Sequence, residues 1–340
     1  MRQLVSSAGI SICQDQTTTS VEQCCDKFTQ RRLLSEAGVP IPAYRLALNA
    51  TDVECVAAEI GLPVILKPTI GCGSSGVRLC RSVDELAHHT AYLLGERPSP
   101  RILVEEFAQG PYYCAHLMGS ELIGIGAATF GPPPHFVFRG RIFPAPLTDE
   151  EHKCIADVSL SCLRALNLGW GPTNVEFRWT KRGPVVIEVN PRLGGGPHAV
   201  RVAYGIDPVT EHIKLVIGEE CDLRRKHSLS VAGQYLIPDR DGVLEWINGE
   251  SRAAAVPGVV EVKLHVKPKT PIVRRNDYQD SMGHVIAASP SRATSAAILQ
   301  RALALIDWSI TPFPALGEPK QSAALDARRT LRPISDNNHH

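Results

Sequence analysis

The residues with the most chemistry in them lie at 174–192. The segment NVEFRW carries Asn174 and Glu176, and the segment VVIEVN carries Glu188 and Asn190. A hairpin centred on Arg182 sets position 176 opposite 188 and 174 opposite 190. Residues two apart on a strand share a face, so two carboxylates and an amide oxygen gather on one side. Carboxylates facing each other across a ladder repel. A hard divalent cation removes that repulsion, and oxygen donors are what Mg²⁺ prefers, with few protein ligands and a nucleotide's phosphates completing its shell. Glu176, Glu188 and Asn190 are therefore candidate metal ligands. Arg192 follows at once and offers a planar fork for phosphate or carboxylate. Gly194, Gly195 and Gly196 allow close backbone approach. The plainer reading is a solvent-facing hairpin edge with ordinary charges. Val185, Val186, Ile187 and Val189 argue against it, since they describe a strand buried on both faces. His198, near the triple glycine, could reach the same site or be an ordinary structural histidine.

A second constellation is the glycine-rich run GCGSSG at 71–76. Gly71, Gly73 and Gly76 match the spacing of a dinucleotide-binding turn, but that turn must open a helix. Here VRLC follows, which reads as a strand. No Gly-Lys-Ser/Thr follows either, and a kinase-type lysine would come after the glycines, whereas Lys67 precedes them. What remains is a loop between two strands. Its backbone N–H groups, with Ser74 and Ser75, can cradle an anion, and Lys67 could reach the same phosphates. A plain glycine hairpin is the alternative.

These groups need a frame of alternating elements. A helix is expected over 21–37, closed by Gly38 with Pro40 and Pro42 beyond it. A capping box at Thr51 and Glu54 starts the next helix, which Gly61 ends. PVILK, VRLC and 101–104 read as strands, with a helix capped by Ser82 and Glu85 between the last two. Beyond Gly110, 122–129 and 136–138 look strand-like. Thr148 and Glu151 cap another helix. The carboxylate hairpin and a helix opened by Asp207-Pro208 follow. A strand-rich stretch then runs to about 287, and a last helix covers 291–306. His88 and His89 fall on a predicted helix and read as surface residues. The expected organisation is an N-terminal segment and helix (1–40), a small lobe with the glycine loop (41–106), a large lobe with the carboxylate hairpin (107–312) and a disordered tail (313–340). His339 and His340 have the look of a tag remnant.

The chain has 340 residues, with 36 Lys+Arg against 35 Asp+Glu and a formal net charge of +1. That balance, with 6% aromatics, argues against nucleic-acid or anionic-membrane binding. The uncharged run 122–138 is broken by three glycines and Pro132, Pro133 and Pro134, so it is no spanning helix. Without a signal-peptide pattern, the ten cysteines read as reduced, mostly buried thiols of a cytoplasmic protein. No exposed apolar stripe suggesting an interface is legible.

Taken in order, DKFTQRRLLSEAGVPIP, GLPVILKPTIGCGSSGV, ILVEEFAQG, NVEFRW and VIEVNPRLGGG resemble the ATP-grasp superfamily, and within it the amino-acid (carboxylate–amine) ligases. The resemblance covers about residues 22–312. It implies an α/β (α+β) ATP-grasp fold with two lobes clasping ATP. Lys27 and Lys67 would contact the ATP phosphates under the loop Gly73, Ser74, Ser75 and Gly76. Glu105, Glu106 and Phe107 would form the hinge that holds adenine. Glu176, Glu188 and Asn190 would hold Mg²⁺, or Mn²⁺ in its place, and Arg192 would stabilise the acyl phosphate. Arg139 and Arg141, in RGRIFPAP, lie where such ligases approach their substrates. The PGVVEV and SMGHVIAAS segments resemble the family's lid-like closing region. Two departures stand out. Tyr112 occupies the position where the family has a ribose-binding glutamate. The chain also begins almost at the motifs, lacking the usual N-terminal α/β domain, so a homodimer or another partner could complete the pocket.

The implied activity is ATP-dependent joining of a small carboxylate or amino acid to an amine through an acyl phosphate. A biotin carboxylase-like reaction is a rival, although NPR here continues as LGGGPH. A nucleotide-binding regulatory or degenerate ATP-grasp protein without turnover is the other.

Overall fold

A computed structural model describes residues 18–95 and 101–314 of the chain. Expectations for the first 17 residues and for the tail beyond 314 lie outside the described residues. The chain opens with α1 (Thr18–Cys25) and α2 (Lys27–Glu36). A four-stranded antiparallel sheet follows, in the order β1 (Tyr44–Ala47), β4 (Ile102–Glu106), β2 (Val64–Pro68), β3 (Arg78–Cys80). Helices α3 (Ala50–Ile60) and α4 (Val83–Gly95) cover it, burying Val53, Ala57, Leu86 and Leu93 against Val64, Leu66 and Val104.

A second, eight-stranded sheet carries most of the remaining chain. Its strands are β5 (Tyr112–Met118), β6 (Glu121–Phe130), β7 (Phe138–Phe143), β8 (Pro172–Thr180), β9 (Gly183–Asn190), β10 (Ser230–Leu236), β12 (Val259–Leu264) and β14 (Gly283–Ser289). They lie in the order β12-β14-β10-β7-β6-β5-β8-β9, so β9 forms one edge. Helix α5 (Asp149–Ala165), opened by the expected Thr148–Glu151 capping box, packs on β5 and β9 through Ile155, Cys162 and Leu163. Helices α6 (Pro197–Tyr204) and α7 (Pro208–Val216) follow the carboxylate hairpin. A three-stranded sheet of β13 (Pro271–Ile272), β11 (Gly242–Asn248) and β15 (Asp307–Thr311) shares a core with α8 (Glu250–Ala254) and α9 (Arg292–Leu303).

Several local expectations are revised. The helix expected over 21–37 is two helices. Asp26 is extended (φ −96°, ψ 110°), and its carboxylate accepts from the Thr29 amide at 2.7 Å, so it caps α2 instead of continuing α1. Asp26 also pairs with Arg101 at 2.7 Å. Helix α3 is capped by Asn49, whose side chain accepts from the Asp52 amide, two residues before the expected Thr51. The strand expected at 136–138 starts where that segment ends. It runs to Phe143 because it pairs on both sides, with β6 and β10, and those partners outweigh the turn-like Gly140. Strands β1, β5 and β15 and helix α6 had no expectation at all.

His89 is buried at 5% exposure, while His88 faces solvent. Of the nine described cysteines, all free, three are buried (Cys24, Cys80 and Cys162), which contradicts the expectation of general burial. An exposed apolar stripe also exists. Val209, Ile213 and Ile217 are 45%, 56% and 57% exposed at helical spacing along α7. Among the described residues, no helix is long and apolar enough to cross a membrane.

Candidate active site

A cleft of about 550 Å³ lies between the two main sheets. The four-stranded sheet contributes Ile65, Lys67 and the glycine loop, and the eight-stranded sheet contributes Tyr112, Cys114, His116, Arg141, Asn174, Glu176 and Glu188. The carboxylate hairpin has the anticipated pairing, Glu176↔Glu188 and Asn174↔Asn190. It is reached differently from a simple midpoint. Thr180 pairs with Gly183 across a two-residue turn, and a register shift between Glu176 and Phe177 supplies the extra residue on β9. Such a bulge re-aims side chains, and here it turns Glu188 onto the face of Glu176. Burial in the cleft floor, then the charge of Glu188, push the Glu176 carboxyl up to about 7. The Nδ2 groups of Asn174 and Asn190 donate to Glu176 Oε1 only at 3.3 and 3.4 Å.

Both lysines reach this cleft by different routes. Lys27, at the first turn of α2, places Nζ 2.8 Å from Glu188 and donates to the Gly71 carbonyl at 2.6 Å, joining the glycine loop to the hairpin. Lys67 at the end of β2 is 96% buried and pairs with Glu105 at 2.6 Å. The other oxygen of Glu105 receives Arg31 Nε, also at 2.6 Å. Burial lowers the Lys67 pKa, opposed by Glu105. The side chain of Glu105, which lines the cleft, is therefore committed to Lys67 and Arg31. Glu106 lines the cleft with Phe107, and both its carboxylate oxygens accept from the single Nη2 of Arg182, at 2.7 and 2.9 Å.

The glycine loop has left-handed backbone at Gly73 (φ 64°), Ser74 (φ 66°) and Gly76 (φ 70°). A Cβ on Gly73 would fall 2.1 Å from the ring of Tyr278, whose amide donates to the Gly73 carbonyl at 3.2 Å. His89 Nε2 lies 2.9 Å from the Gly76 carbonyl. Ser75 and Ser74 line the cleft beside them.

At the far end, Arg141, Arg192, Gly195 and Gly196 line the wall. Arg141 donates to the Tyr235 hydroxyl at 2.9 Å and to the Gly195 carbonyl, and its guanidinium lies 5.1 Å from the Phe138 ring centroid. Arg139 and His198 do not line the cleft. His198 Nε2 instead faces Glu261 at 3.2 Å, and Glu261 also meets His284 at 3.1 Å. Tyr112 does line it, but its hydroxyl is hydrogen-bonded to Glu176, which helps push the Tyr112 pKa well up after burial.

Sequence reasoning missed Gln30, Arg31, Cys114 and His116. Cys114 Sγ lies 2.6 Å from Asn174 Oδ1, and burial pushes its thiol far up. His116 is lowered to about 4 by burial and then by Arg141, so it is neutral at pH 7. The alternation of Tyr113, Ala115 and Leu117 into the core could have placed Tyr112, Cys114 and His116 together on the opposite face.

Comparisons with known proteins bear on the family and the fold. The family model described as ATP-grasp domain matches residues 24–196, and that described as L-amino acid ligase C-terminal domain 2 matches 234–311. The uncharacterized protein y4rH of Sinorhizobium fredii is 57% identical over 312 residues, spanning 90% of this chain and 65% of that protein. Human carnosine synthase 1 is 30% identical over 216 residues, 56% of this chain and 26% of that one. The chain thus spans less than two thirds of either relative. The crystal structure of an L-amino acid ligase from Bacillus licheniformis has the same fold, with a TM-score of 0.77 at 20% identity over 88% of this chain and 75% of that one. Because the ATP-grasp match takes in more than half of the chain and reaches from α2 to the triple glycine, this chain belongs to the ATP-grasp family.

Proposed function

We propose that this protein is an ATP-dependent carboxylate–amine ligase that forms an amide or peptide bond on amino acids or other small carboxylates. The observation that carries the reading is the Glu176–Glu188 pair. These carboxylates face each other across a desolvated strand pair, and Glu176 is driven toward its protonated form. Glu188, Glu176 and the amide oxygen of Asn190 form an all-oxygen donor set that fits Mg²⁺ or Mn²⁺. The bound cation would neutralise charge on ATP phosphate oxygens.

Lys27, Lys67 and the backbone of 71–76 would orient the phosphates, while Glu106, Phe107 and Tyr112, which line the same cleft, would meet the base and sugar. The donor acid's carboxylate would attack the γ-phosphorus, forming a C–O–P linkage and releasing ADP. The amine nitrogen would then attack the acyl carbon, phosphate would leave, and the nitrogen would lose a proton. Arg141 and Arg192 would face the negative charge of the acid and of the acyl phosphate. His116, neutral at pH 7, adds no further charge there. Closure of the loop against Tyr278 would keep water from the acyl phosphate. Similarity to an L-amino acid ligase and to carnosine synthase supports this class of reaction.

The test is Mg²⁺-dependent ADP release measured over a panel of carboxylic acids and amines, with Glu188→Gln as control. Release that requires one acid and one amine is the expected result. ATP binding without release for any pair would favour a nucleotide-binding protein without turnover.

A further inference from the structure

Strand β9 carries Glu188 and Asn190, yet it lies at the edge of the large sheet with no strand on its outer side. An edge strand presents unpaired N–H and C=O groups, and its backbone is free to shift. Here α2 covers that edge with side chains. The Gln30 amide is fully buried and makes two bonds to one residue: Nε2 donates to the Val189 carbonyl at 2.8 Å, and Oε1 accepts from the Val189 N–H at 2.8 Å. This pair of bonds copies what a neighbouring antiparallel strand would give. One residue along α2, Arg31 donates to the Ile187 carbonyl while its Nε holds Glu105. Further out, the Val186 amide donates to the Pro40 carbonyl at 2.8 Å. The backbone is thus anchored at 187 and 189, on either side of Glu188, and Lys27 of the same helix touches the Glu188 carboxylate.

The buried face of α2 is Lys27, Gln30, Arg31 and Leu34, three polar residues and one apolar. A face that serves only packing would be apolar. A primary amide is a natural choice for position 30, because it joins N–H donors and an acceptor oxygen in one uncharged group; Nε2 also donates to the Cys24 carbonyl at 3.2 Å. We propose that Gln30 is a positioning residue for the divalent-cation site: its amide takes the place of the strand that β9 lacks and holds Glu188 and Asn190 in register with Glu176. This inference rests on the cation site assigned under the proposed function.

The experiment uses the full chain with Mn²⁺ and a non-hydrolysable ATP analogue, reading free Mn²⁺ by electron paramagnetic resonance. Gln30→Met keeps the side-chain length and removes both bonds to Val189, together with the 3.2 Å bond from Nε2 to the Cys24 carbonyl. Its Mn²⁺ dissociation constant should rise by about tenfold or more, with KM for acid and amine unchanged. Leu34→Ala removes packing on the same face but leaves β9 bonded. It should lower the melting temperature and hold Mn²⁺ affinity within about twofold. Affinity unchanged in Gln30→Met, or lost equally in Leu34→Ala, overturns the proposal. Hydrogen exchange of the wild-type Val189 amide tests it without any variant. That amide should be strongly protected, and exchange at the rate of an open edge overturns the proposal. Failure of the underlying reading has a different signature: wild type that binds no Mn²⁺, or binding that survives Glu188→Gln, removes the cation site itself.

Discussion

Glu105 and Glu176 stand in the walls of one cleft, and their carboxyls are driven in opposite directions. Burial alone would raise Glu105, but Arg31 and Lys67 outweigh it and hold the carboxyl below its usual range. Glu176 has a second carboxylate opposite it, and Lys27 is engaged with that second carboxylate, Glu188. Burial and Glu188 therefore raise it to about 7. The first carboxylate is neutralised by the fold's own cations and acts as a strut between α2, β2 and β4. The second is short of positive charge, a condition that a ligand relieves. Desolvation by itself does not mark a functional group; the supply of countercharge does.

Paired substitutions would break this contrast if it is wrong. Glu176→Gln should cut Mg²⁺-dependent ADP release by at least about a hundredfold. Because it removes a repulsion, it should leave the melting temperature unchanged or raised. Glu105→Gln should do the reverse to stability. It leaves Arg31 and Lys67 buried without their carboxylate, at a loss of about 3–5 kcal/mol in chemical denaturation. A stability loss in Glu176→Gln as large as that in Glu105→Gln would erase the distinction.

His116 extends the contrast to the other sign of charge. Its folded value is depressed to about 4 from 6.5. Between those pH values the unfolded chain takes up a proton that the folded chain refuses, so stability falls as pH falls through that window. His116→Gln should remove up to about 3 kcal/mol of that slope, read from denaturation curves at pH 7 and pH 4. An unchanged slope would mean that His116 is protonated in the folded protein. The smallest effect is expected at the surface of the site. Asp26→Ala removes the α2 cap and the Arg101 contact, and should lower stability by about 1 kcal/mol with little change in Mn²⁺ affinity.

How much of this was legible in the sequence varies with the physics at each place. The carboxylate hairpin was readable because its residues are close in the chain and strand alternation is strict. Even so, the midpoint arithmetic succeeded through a two-residue turn and a compensating bulge. The capping box at Thr148 was readable since both partners lie within one turn, whereas Asn49 and Asp52 competed with an equally plausible pair two residues on. The break at Asp26 was hidden, because the apolar pattern runs across it and only the cap geometry and Arg101 reveal it. Strand β5 was hidden for a different reason: one face meets the core and the other the cleft, so its alternation carries no charged residues that would mark a solvent face.

Sequence by itself determined the ATP-grasp family, the alternating helices and strands around the small sheet, the glycine loop and the cross-strand pairing of Glu176 with Glu188 and Asn174 with Asn190. These are encoded in local spacing, where a few residues fix the geometry of the next few. Tertiary structure decided which charges are spoken for. The partners of the Glu105 carboxylate were hidden until Arg31, 74 residues away, was seen to hold it. His198 was drawn toward the cleft until Glu261 was seen to face it. Gln30 gave no signal until β9, 159 residues on, was found beside it. Coulomb and hydrogen-bond partners act over a few ångströms of space whatever their separation in the chain, so only the folded arrangement says which groups remain free for a substrate.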